Sequence, residues 1–221
     1  MRFLFILLFF FVFKLIVAQN NEFHTQEIWE HHKIKADVLS PFWYLREIRI
    51  AYEFPLAAKQ SVQLELSLIE NHLIRKHFTK IPEKIGFRIK ADYRYYFYIF
   101  NNEAFYLSPE FFYKYEDINE QKWFYRHNYS YQQLVDLSSN KHVFSLQLKI
   151  GIQTLMSKRF INDFYIGGGF RYKHYDFKSP VLPEDAVIRQ SFIDYELYRN
   201  TFLPSFCMGW QIGFIGNKKL K

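Results

Sequence analysis

The sequence predicts an all-β chain, folded as an eight-stranded antiparallel up-and-down transmembrane β-barrel. Three observations point there: an apolar leader opens the chain, a strict two-residue alternation recurs through the rest, and the connections alternate between short and long. In FYLSPEFFYKYED (105–117), Phe105, Leu107, Pro109, Phe111, Tyr113 and Tyr115 fall on one side of an extended chain. Tyr106, Ser108, Glu110, Phe112, Lys114 and Glu116 fall on the other. Successive side chains of a strand point to opposite faces, so one face is apolar and aromatic while the other carries charge.

The leader predicts export. Arg2 gives a positive start, Leu4 to Phe13 an apolar run, and Val17-Ala18-Gln19 a small-residue exit, the layout of a cleaved signal peptide over residues 1–19. Lys14 keeps the run short of the roughly 18–20 apolar residues a spanning helix needs. Residues 20–32 form a polar leader, 33–216 the barrel and 217–221 a basic C-terminal tail. Cys207 is the one cysteine, which excludes an intrachain disulfide. The formal charge of +7 is spread over alternate positions instead of clustered, which argues against a nucleic-acid surface.

The strands follow in order. KIKADVL (33–39) places Ile34, Ala36 and Val38 on the apolar face. REIRIAYEF (46–54) sets Ile48, Ile50, Tyr52 and Phe54 against Glu47, Arg49 and Glu53. SVQLELSLIE (61–70) sets Val62, Leu64, Leu66 and Leu68 against Gln63, Glu65 and Ser67, and FRIKADYRYY (87–96) sets Phe87, Ile89 and Tyr93 against Arg88, Lys90, Asp92 and Arg94. After the stretch 105–117 come FSLQLKIGIQ (144–153), FYIGGGFRYKHY (164–175) and SFCMGWQIGF (205–214), with the same alternation. Runs of roughly 9–12 residues suit tilted strands that cross a bilayer. Residues 55–60, 100–103 and 155–162 predict short turns at one rim, and 73–85, 117–140 and 177–203 long loops at the other.

Which face is inside follows from size and sign. An eight-stranded barrel has room for side chains and little more. A mixed-sign set fills and neutralises it, so Glu53, Glu65, Arg88, Arg94 and Glu110 are expected as an interior charge network, with the apolar face toward lipid. The rival arrangement, apolar inside, is a soluble secreted ligand-binding barrel. Trp43, Tyr44, Tyr113, Tyr115, Tyr172, Tyr175 and Trp210 are expected in interfacial girdles.

The phrases KADVLSPFWYLREIRIAYEF, FYLSPEFFYKY with Pro109-Glu110, FYIGGGFRYKHY and the closing CMGWQIGF resemble the small outer-membrane β-barrel family of Bacteroidota, a domain of unknown function type. The resemblance implies fold and location and supplies no reaction. The last strand resembles the signal read by the barrel-assembly machinery, with Gly209 and Phe214, although IGNKKLK follows.

No catalytic, cofactor or metal site is expected. His24, Glu27, Glu30 and His31 stand at helical spacings, but no matched buried partner follows them downstream, and a polar leader accounts for them. GGG (167–169) sits inside a strand pattern and relieves crowding; it is no phosphate loop. Ser130 or Ser145 with His127 or His142 and Glu116 would make a lipid-modifying enzyme, yet His142 and Ser145 point to opposite faces of an extended segment. IRKHFTK (74–80) could meet lipopolysaccharide phosphates. Trp123, Phe124, Tyr125 and Tyr129 are expected in a partner-binding loop. The expected function is therefore an integral outer-membrane protein with a structural or interaction role. Its partners would be outer-membrane lipids, lipopolysaccharide, the assembly machinery during biogenesis and another envelope protein, with no nucleic acid among them.

Overall fold

The computed structural model describes residues 31–38, 47–70, 83–100, 102–127, 130–157, 159–179, 187–188 and 200–216. They form β1 (Lys33–Asp37), β2 (Glu47–Ala57), β3 (Gln60–Glu70), β4 (Glu83–Phe100), β5 (Glu103–Arg126), β6 (Tyr131–Leu155), β7 (Phe160–Ser179), β8 (Val187–Ile188) and β9 (Thr201–Ile215). Each of β1 to β6 pairs antiparallel with the next, β7 pairs with β9, and β9 pairs with β1. The sheet closes into an eight-stranded up-and-down barrel. The two-residue β8 stands outside the ring, against the far end of β5.

The register fixes the shape of the barrel. Partner to partner, a path runs Lys33, Glu53, Gln63, Asp92, Glu110, Gln147, Gly169, Ser205. Lys33 itself pairs with Ile215, ten residues beyond Ser205 on β9, so the barrel has a shear of ten. With ordinary strand spacings that shear tilts the strands by roughly 40°. Each residue then climbs about 2.5 Å along the axis, so ten residues cover an apolar band about 25 Å tall.

Side-chain parity follows the alternation of the sequence throughout. Ile48, Ile50, Leu64, Leu66, Phe111, Leu146, Leu148 and Ile150 are exposed on the outer wall, whereas Glu47, Glu53, Glu65, Asp92, Glu110 and Lys149 are buried inside. The outer wall carries aromatics toward both rims. Tyr98, Phe100 and Phe105 cluster at the turn rim, and Phe87, Tyr113, Tyr115 and Phe144 cluster higher. Trp43 and Tyr44 lie outside the described residues. Tyr175, expected in a girdle, is instead buried in the interior, because it shares strand parity with Lys173 and Arg171.

Two glycines make room for tyrosine rings. The ring of Tyr106 lies over Gly151 and that of Tyr165 over Gly209, so a Cβ at either position would collide with the tyrosine. In the GGG segment a Cβ at Gly167 or Gly169 would strike the carbonyl of Leu148 or Leu146, while Gly168 has room.

Two expectations need correction. Four consecutive strands, β4 to β7, run 18, 24, 25 and 20 residues, well beyond the expected 9–12. The expected long loop 117–140 is mostly strand. β4 leaves β5 at Asn119 and β7 leaves β6 at Ser138, but β5 and β6 continue paired as a ribbon to Arg126 and Tyr131. Beyond the wall the two strands satisfy one another's backbone groups, so extension there needs no apolar face. His127 turns the ribbon with a φ of 47°, and Ser130 N donates to the carbonyl of Arg126.

Candidate functional site: the charged interior

The inward positions of eight strands bring acidic and basic side chains from distant parts of the chain into one narrow space. On the turn side, Glu53 and Asp163 are the anionic centres. Lys33 Nζ lies 2.8 Å from Glu53 Oε1, and Lys35 pairs with Glu53 and, at 2.6 Å, with Asp163. Arg94 Nη1 lies 2.5 Å from Asp163 Oδ2 and 3.3 Å from Glu53 Oε2, while its Nε reaches Asp92 at 3.1 Å. Tyr96 donates its hydroxyl to Glu53 at 2.5 Å and Tyr106 donates to Asp163 at 2.7 Å. The guanidinium of Arg94 also stacks 4.5 Å from the Tyr106 ring centroid. Lys33, Lys35, Glu53, Arg94, Tyr96 and Tyr106 are each at most 1% exposed, so this end of the lumen is filled.

Further along the axis, Lys149 bridges Glu110 at 2.6 Å and Asp92 at 3.0 Å, and Lys90 bridges Glu65 at 3.0 Å and Glu110 at 3.7 Å. Lys149 sits 4.6 Å from the Tyr165 ring centroid. Toward the loop rim, Glu47 is shared by Arg49, Arg88 and Lys114, and Glu116 lies 3.0 Å from both Lys114 and Lys141. Pairing of this kind is what allows charge to be buried at all, since an isolated ion would cost several kcal/mol.

The structure thus places Glu53, Glu65, Arg94 and Glu110 in the buried interior and Arg88 partly buried there, joined through Lys33, Lys35, Lys90, Lys149 and Asp163. Asp163 was missed from the sequence. Its signal was parity, because it stands two residues before Tyr165 on the inward side of β7.

The residues expected in a partner-binding loop are on a strand instead. Trp123 pairs with Leu134, Phe124 with Gln133 and Ile188, and Tyr125 with Gln132 and Val187. Trp123, Tyr131 and Leu134 are exposed on this ribbon. Tyr129 lies outside the described residues, as do His24, Glu27, Glu30 and the basic segment 74–80. His31 is described, and its Nδ1 lies 3.1 Å from the carbonyl of Gly216. Ser130 Oγ donates to the carbonyl of His127 at 2.6 Å, and Ser145 Oγ to that of Phe170 at 2.8 Å. His142 faces outward, 2.8 Å from the hydroxyl of Tyr113. Among the described residues, the hydroxyl of each serine is thus bonded to a backbone carbonyl and not to a histidine ring.

No protein-family model matches the chain, and no curated protein matches it. Among solved structures the chain is similar to the N-terminal β-barrel domain of OprF from Pseudomonas aeruginosa. The sequence identity is 10% and the TM-score 0.42, over 85% of this chain and 98% of that one.

Proposed function

We propose that the protein is an integral outer-membrane barrel with a structural or interaction role and no catalytic centre, exported through a cleaved signal peptide. One observation carries the reading. The wall is inverted relative to a soluble barrel, with Leu66, Leu148, Ile150 and Phe111 exposed outside and Glu53, Arg94 and Lys149 buried inside. A continuous apolar outer belt of this size is stable against hydrocarbon and unstable against water. Where the strands pair around the ring, backbone groups are satisfied within the sheet, as hydrocarbon requires.

In this reading the belt meets outer-membrane lipids, and the last strand, with Gly209 and Phe214, is read by the barrel-assembly machinery. The β5–β6 ribbon reaches past the loop rim and presents Trp123, Tyr131 and Leu134 to another envelope protein or to lipopolysaccharide. Fractionation tests the placement. The protein should stay with the outer membrane through an alkaline carbonate wash and run faster on gels when unheated than when boiled. Recovery in the soluble periplasmic fraction would overturn it.

A further inference from the structure

A cavity of about 270 Å³ opens inside the loop-side half of the barrel, where, among the described lining residues, the charged ones are Arg49, Arg88, Lys90 and Arg171 against Asp37 and Glu110. In this space Arg49 holds Asp37, Arg88 holds Glu47 and Lys90 bridges Glu65 and Glu110, which leaves Arg171 without an ion pair among the described residues. The Arg171 side chain makes no hydrogen bond or ion pair with any described residue, and its Nε is buried without a partner. The Nε of Arg88 is likewise buried and unpaired, although its Nη2 holds Glu47. Two unmet guanidinium donors in a cation-rich pocket are the chemistry that recognises an oxyanion, for which arginine is suited by its planar fork of donors.

The cavity also reaches the outer wall. It is lined by Ser205 and Cys207 from the inner face of β9 and by Phe206 and Met208 from the outer face, so its described lining takes in both faces of that strand. Among the described residues β9 is paired to β1 over Gln211–Ile215, and Ser205 to Met208 lie beyond that pairing. Pro204, just ahead, has no N–H to offer a neighbouring strand. Phe206 is 89% exposed on the apolar side.

We infer that this cavity receives the anionic head of a single-chain amphiphile, a monoalkyl phosphate or carboxylate. Arg171 and Arg88 hold the head, and the alkyl chain leaves past Phe206 and Met208 onto the apolar wall. The inference rests on that wall lying in lipid, as proposed above.

Cys207, the single cysteine, lines the cavity and supplies the probe. The full-length barrel, shown to be folded by its gel shift, is held in an uncharged detergent, and the rate at which a methanethiosulfonate modifies Cys207 is measured. Monododecyl phosphate should slow the reaction about tenfold, whereas dodecanol and inorganic phosphate at equal concentration leave it unchanged. Arg171→Gln should remove most of the protection while keeping the gel shift, and Lys178→Gln, on the outer face, should not alter it. Equal protection by dodecanol would make the site merely apolar, and equal protection by inorganic phosphate a free-anion site. Either result, or undiminished protection in Arg171→Gln, overturns the inference. Should Cys207 not react at all, the dodecyl phosphate adduct of the intact protein is weighed by native mass spectrometry, and its absence, or its persistence in Arg171→Gln, is the negative result. Because the gel shift is scored separately, a failed site is distinguishable from a failed barrel.

Discussion

On the turn side of the interior, Glu53 and Asp163 are gripped by Lys33, Lys35 and Arg94, with two tyrosine hydroxyls filling the remaining acceptor positions. On the loop side, the Arg171 side chain faces a cavity with no partner among the described residues, while a single unmet guanidinium nitrogen occurs in both halves, at Arg88 and at Arg94. The same wall, alternation and residue types produce both. What differs is filling: Tyr96 and Tyr106 close the space between charges at one end, whereas at the other Phe112 and Tyr165 are buried yet leave a cavity beside Arg88 and Arg171. The turn-side charges are therefore structural, whereas that of Arg171 is available, and the two sites should respond differently to the same kind of substitution.

The largest effect is expected from Arg94→Ala. It strands Asp163 and weakens the hold on Glu53 where the lumen is dry, and breaking such a pair costs about 3–5 kcal/mol. The urea midpoint of the refolded barrel in lipid vesicles measures it, and planar-bilayer recording of the wild type, expected to show no large steady conductance, checks that this end is closed. An Arg94→Ala barrel as stable as the wild type would erase the contrast. Next comes the outer wall. Leu148→Arg, mid-strand and exposed, should cost about 2–4 kcal/mol in vesicles. A harmless outcome in the same titration would mean that the two faces are inverted.

On the loop side the costs should shrink. Arg88→Ala leaves Glu47 with Arg49 and Lys114, so a loss of about 1.5 kcal/mol is expected, with chemical denaturation as the measure. Arg171→Gln removes no partnered contact and should shift stability by under about 0.5 kcal/mol, as surface substitutions do. If Arg171→Gln proved as damaging as Arg94→Ala, the loop-side half would be structural too, and the comparison would collapse.

Parity made the faces legible in advance. Once Ile50 is outside, Glu53 must be inside, because a strand offers only two directions. The same rule was available for Tyr175 and for Asp163, both inward by position in β7, though neither residue type advertises it. Strand ends were harder. From Gln121 to Ser138 no apolar face marks the ribbon, since it is held by main-chain bonds between β5 and β6, which leave no trace in side-chain pattern. Partners across the lumen were illegible for a different reason. Arg94 meets Asp163 only because a shear of ten brings β4 and β7 to matching heights, and shear is a property of all eight registers together. The unmet donors of the cavity depend on that same sum.

Seven of the eight joints in the wall are between strands that follow one another around the chain, most of them simple hairpins; the eighth, between β1 and β9, joins residues nearly two hundred positions apart through only five pairs. Across the barrel, β5 and β6 share a zipper of twenty-four. In kinetic terms the hairpins are local and form early, whereas the seam carries the full entropy of loop closure and little enthalpy of its own. The barrel is thus a ribbon with a short clasp. Lys33 meets Glu53 across the adjoining β1–β2 pair, but Lys35 comes within reach of Asp163 on β7 only when β9 has joined β1, so that one ion pair is also the latch that tells the sheet it has closed.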